Sequence, residues 1–102
     1  MNIYFTATFP MSHGSSGGVV VVAKYEGATK KLTTTPIQAY SGWWSHYQAM
    51  NKAETKAKTM AAYDAAVNGN RIHKETINTN AKAAAKEANL VLKTDQMAWY
   101  VG

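Results

Sequence analysis

The 102-residue chain contains no cysteine, two prolines and six acidic side chains. Without cysteine there are no disulfides and no thiolate metal sites, which fits a reducing compartment and makes the cytoplasm the expected location. No apolar run is long enough to span a bilayer, the longest being strand-sized at residues 18–23, so no membrane partner is expected. Residues 1–10 lack the basic start and continuous apolar region of a signal peptide. Three histidines, His13, His46 and His73, have no partner three or four residues away, which excludes a histidine zinc cluster and leaves each as a surface or structural side chain. The shortage of acids gives a net charge of +5, favouring polyanionic over cationic partners, although the excess is spread along the chain as it is on a merely soluble surface.

A chain of this length with 46% hydrophobic side chains makes one domain, residues 1–102, with a modest core. Residues 2–9 alternate, Ile3, Phe5, Ala7 and Phe9 against Asn2, Tyr4, Thr6 and Thr8, the period of a half-buried strand ended by Pro10. Residues 11–18 form a glycine- and serine-rich loop without the spacing of a phosphate cradle. The β-branched run at 18–25 predicts a central strand covered on both faces. A third strand is expected around 29–35 with Pro36 closing it, completing an antiparallel meander.

Residues 45–68 predict a helix capped by Ser45, or by a start nearer Ser41, and stopped at Asn68-Gly69-Asn70. At about 100° per residue, Met50, Ala53, Ala57, Met60, Ala61 and Val67 share one face, and Lys52, Lys56 and Lys58 fall on the other. Glu54 lands inside the apolar stripe, where a carboxylate must be paired, metal-bound, protonated or at the edge. Asp64 shares the stripe but lies roughly 15 Å further along the axis. Tyr40, Trp43, Trp44 and Tyr47 crowd the approach to this helix, either to plug one end of the core or to stack bases on an open platform. A second, alanine-rich helix begins near Arg71 or only after Thr79 or Asn80 and ends at Asn89. A strand follows in the sequence NLVLKTD, and QMAWYVG finishes the chain.

Three stretches carry a likeness to a known family. YFTATFPMSHGSSGGVVVVAKYEG resembles the first hairpin of the ribonuclease H family, NKAETKAKTMAAYDAA its first helix, and LVLKTDQMAWYVG the end of its fourth strand. The resemblance implies an α+β fold in which a three-stranded meander is followed by one or two helices and a fourth strand parallel to strand one, in the order 3-2-1-4. It also implies that Glu54 and Asp95 stand at catalytic, metal-binding positions. In that family several carboxylates hold two Mg²⁺ ions, which activate a water and stabilise the leaving oxygen of a phosphodiester. Here Ala7 occupies the position of the strand-one Asp and residues 1–25 contain no acid, so the likeness is to a shortened N-terminal half with an incomplete acidic site.

Three functions follow as expectations. The first is a small basic ribonuclease H-like domain, catalytically inactive and without a cofactor, that binds RNA, an RNA–DNA hybrid or a nucleic-acid-processing partner through Lys52, Lys56, Lys58, Trp43 and Trp44. The second is a Mg²⁺- or Mn²⁺-dependent ribonuclease using Glu54 and Asp95. The third is a phage or mobile-element accessory protein that grips and inhibits a host protein with Trp43, Trp44, Trp99 and Tyr100 as anchors.

Overall fold

The computed structural model describes residues 1–10 and 17–102, so most of the loop expected at 11–18, His13 included, lies outside the described residues. In chain order the elements are β1 (Asn2–Pro10), β2 (Gly18–Glu26), β3 (Lys31–Tyr40), α1 (Trp43–Asn68), β4 (Ile72–Thr76), α2 (Thr79–Glu87) and β5 (Met97–Val101). The strands form one sheet in the order β3-β2-β1-β5-β4, with every neighbouring pair antiparallel. No helix among the described residues is long and apolar enough to cross a membrane.

The β1–β2 hairpin has the alternation that the sequence predicts, with Asn2 opposite Glu26 and Pro10 opposite Gly18. A Cβ on Gly18 would come within 2.4 Å of the Phe9 carbonyl oxygen and 2.7 Å of the Tyr40 hydroxyl, so only glycine fits there. The third strand differs from expectation: β3 starts at Lys31 and runs through Pro36 to Tyr40. The register shifts so that Val20 faces Gln38 and Val21 faces Pro36, leaving Ile37 as an extra residue. A proline without an N–H is tolerated because β3 is an edge strand and bulges at that point.

The two faces of the sheet are covered by different helices. Ile3, Phe5, Ala7, Val21, Ala23, Ala98 and Tyr100 pack with Ile77 and the α2 alanines Ala81, Ala84 and Ala85. The alternate residues Tyr4, Val20, Val22, Trp99 and Val101 pack against Ala49, Ala53, Ala57, Ala61 and Ala65 of α1. The expectation of a half-buried β1 is therefore corrected, because Tyr4, packed against α1, and also Thr6 and Thr8 are buried.

The line of contact along α1 recurs every four residues, and four residues turn the helix by about 40° more than a full revolution. A single averaged stripe therefore misplaces side chains, and Val67 and Glu54 are exposed. Gly69 ends α1 in the left-handed conformation at φ 66°, its N–H bonded to the Ala65 carbonyl, as the Asn-Gly-Asn stop predicts.

The fourth-strand expectation is overturned. The strand next to β1 is β5, and it is antiparallel, with Asn2 opposite Val101 and Phe5 opposite Ala98. Residues 90–95 form no strand and contribute only a bridge between Thr8 and Val91. The chain then turns at Lys93–Gln96, and the buried Gln96 donates its amide to the Thr6 carbonyl and to Thr6 Oγ1, the latter at 2.5 Å. That side chain stands in for ladder bonds, and the chain continues as β5 in the same direction along β1. β4, which the sequence left as a choice of helix start, is instead an edge strand paired to β5 alone. All five of its residues are exposed, so it has no apolar period to betray it. Helix α2 starts at Thr79, with Asn78 Oδ1 accepting the Ala81 N–H at 3.0 Å.

The alanine row of α1 sets the helix-to-sheet distance. Ala57→Leu is expected to lower stability by about 1–3 kcal/mol in denaturant unfolding through overpacking, while Ala62→Leu, at an exposed position, leaves it unchanged.

Candidate functional site

Helix α1 projects three separate chemical surfaces, and the site residues expected from sequence divide among them. Gly42 is the N-cap and makes no side-chain cap bond. Ser45, inside the first turn, accepts the Ser41 N–H at 2.9 Å and bonds the Gly42 carbonyl at 3.2 Å. This start places the large aromatics on the first turns. Trp43, Trp44 and Tyr47 are 80%, 56% and 53% exposed, so they do not plug the core. The Trp44 and Tyr47 rings stack at 5.7 Å and 19°, and Trp43 meets Trp44 edge-on at 5.7 Å. Tyr40 alone turns inward, packing on the α1 side of the core and edge-on to His46. Trp99 and Tyr100 are buried in β5 and are unavailable as anchors for a partner.

The second surface is the flank toward β5. Glu54 and Asp95 line one depression of about 220 Å³ together with Thr6, Tyr47, Lys93 and Gln96. The structure thus brings together the two acids expected from sequence, at the Tyr47 end of the aromatic platform. The β1 side chain in this depression is Thr6; Ala7 points to the opposite face of the sheet and packs in the α2 core. No group of three or more His, Asp or Glu placed to hold a metal ion occurs among the described residues. Two carboxylates beside a lysine and a threonine do not make the several-carboxylate set that two-ion chemistry needs.

The third surface is the opposite flank, and here sequence reasoning picked the wrong acid. The carboxylate that α1 buries is Asp64, at 8% exposure. It accepts bonds from Asn2 Nδ2 at 2.9 Å, from the Tyr4 hydroxyl at 2.6 Å and from the Asn68 amide. Burial acts to raise its pKa, but the donors Asn2, Tyr4 and Asn68 and the charge of Lys24 outweigh it and hold the carboxyl below its ordinary value. Burial and then the bond to Asp64 push the Tyr4 phenol upward. The pair Asp64 and Asn68, four residues apart on one helix, was the sequence signal for this network; the contribution of Asn2 and Tyr4 is long-range.

Beside this network lies a groove of about 500 Å³ edged by Lys24 and Lys56. Of the other lysines expected to bind nucleic acid, Lys52 donates to Gln38 Oε1 on β3 at 2.7 Å, and Lys58 is exposed. At about 100° per residue, Lys58 falls on the outward line of Trp44, Tyr47 and Asn51.

No protein-family model, curated protein or solved structure matches this chain.

A depressed Asp64 pKa means that its contribution to stability is complete above the ordinary carboxylate value of 3.8 and is lost as pH falls through the folded-state value. Thermal unfolding followed from pH 7 downward is expected to show this loss in the native chain and a shallower acid limb in Asp64→Asn. Asp64→Ala should cost about 1–3 kcal/mol at neutral pH, because buried donors lose their acceptor.

Proposed function

We propose that this protein binds single-stranded nucleic acid along α1 without cleaving it. The observation that carries this reading is the exposed, mutually packed trio Trp43, Trp44 and Tyr47 on the helix that also bears Lys52, Lys56 and Lys58. Large rings left in water next to cations offer stacking faces for bases and charge for phosphates, a combination that tolerates any sequence. Such rings are costly to expose unless something covers them. The net charge of +5 supplies long-range attraction to a polyanion. From Trp44 to Lys58 the helix rises by about 21 Å, enough for several nucleotides.

The accessory-protein reading, in which a host protein is gripped by four aromatic anchors, loses two of them because Trp99 and Tyr100 are core residues. Metal-dependent cleavage has in its favour the placement of Glu54 and Asp95 in one depression, and lacks a third acid around it among the described residues.

Fluorescence titration of a single-stranded 12-mer at several salt concentrations tests the proposal. Affinity is expected to fall steeply with salt, and Trp44→Ala should weaken binding by about 1–3 kcal/mol, the worth of one base–aromatic stack. Lys52→Ala and Lys58→Ala should each make the salt dependence shallower. Absence of binding to any RNA or DNA strand at low salt refutes the reading. With Mn²⁺ added the strand should stay intact; cleavage that disappears in Glu54→Gln would transfer the function to the acidic depression.

A further inference from the structure

We propose that the groove beside Asp64 is a nucleotide pocket that takes one base with its phosphate from the strand held along α1. The inference rests on the nucleic-acid reading above and assigns it a second, chemically distinct contact. The groove, at about 500 Å³, has the size of a small-molecule site.

One wall is apolar and sits in water. Tyr63 and Val67, 72% and 64% exposed, flank the groove together with the half-buried Met60. No ring partner covers Tyr63 among the described residues. Its phenol ring offers a flat face of the kind on which bases stack.

The floor is polar but already saturated. Asp64 accepts from Asn2, Tyr4 and Asn68, so its oxygens are committed within the protein rather than offered to a cation. The edges are positive: Lys56 makes no hydrogen bond or ion pair among the described residues, and Lys24 shares its charge with Glu26 at 3.2 Å. Two ammonium groups beside an apolar wall and a satisfied carboxylate disfavour metals and cationic ligands. They complement an aromatic ring carrying an anion, with the ring on Tyr63 and the phosphate on Lys56.

The groove is also continuous with the proposed path of the strand. Lys56 lines a second, shallow groove on α1 with Asn51, Lys52 and Thr55, so one lysine borders both. Tyr63 lies about 28 Å along the helix from Trp44, at the far end of that path.

The test uses adenosine monophosphate (AMP) and a single-stranded 12-mer on the full chain, followed by amide chemical shifts. AMP is expected to shift signals at Lys24 and at residues 56–68. Adenosine and ribose 5-phosphate should each bind about tenfold more weakly than AMP, because each loses the stack or the charged contact. Tyr63→Ala and Lys56→Ala, both at exposed positions, should each weaken AMP about tenfold with an unchanged melting temperature. Trp44→Ala should leave AMP binding intact while weakening the 12-mer. If the 12-mer binds but AMP shifts nothing in the groove, or adenosine binds as tightly as AMP, the pocket is overturned and the strand reading survives. If the 12-mer fails to bind the native protein, the strand reading itself is overturned.

Discussion

The close seating of α1 on the sheet depends on five alanines, Ala49, Ala53, Ala57, Ala61 and Ala65, spaced one turn apart. Small side chains on the helix meet Tyr4, Val20, Val22 and Trp99 on the sheet, and large against small is how such layers reach interior packing density. Because the helix can approach this closely, β1 and β2 become buried on both faces, with Phe5, Val20, Val21 and Val22 wholly enclosed. A fully buried valine or phenylalanine contributes on the order of 1.5–3 kcal/mol. The same approach forces the one polar position on this contact line, Asp64, to be satisfied by the sheet beneath it.

A helix held along a slowly turning line shows solvent different sides at different heights. Near its start Trp43, Trp44 and Tyr47 are left largely exposed. In its middle Glu54 faces the β5 flank and Lys52 the β3 flank, so acid and base are separated by the thickness of the helix. Toward its end Lys56, Tyr63 and Val67 surround the groove over Tyr4 of β1 and Lys24 of β2. The groove with Lys24 and Lys56 and the depression with Glu54 and Asp95 thus lie on different flanks of the helix, the latter adjoining Tyr47 of the aromatic group.

How much of this was legible depended on whether the deciding contacts were local. The first hairpin, the α1 stop at Gly69 and the alanine face of α2 are written in short-range patterns of turn, cap and period, and the structure has them. Ile72–Thr76 is not legible, because an edge strand with every side chain exposed has no alternation, and its sequence IHKET suits either state. The direction of β5 is set by the turn at Lys93–Gln96 and by a side chain reaching Thr6, ninety positions away in the chain. Both Glu54 and Asp64 were placed on the apolar stripe, and only Asp64 is buried, because a helical wheel averages a contact line that turns. The nearness of Glu54 to Asp95 was anticipated only through the family likeness, whose implied parallel strand is absent from the sheet next to β1.

The strand that joins the two halves of the sheet, β5, is also the last element in chain order. The edge strand β4 pairs with β5 alone, so it can join the sheet only once β5 lies beside β1. Closing the sheet therefore brings Asn2 opposite Val101, with all the loop-closure entropy that so distant a pairing carries.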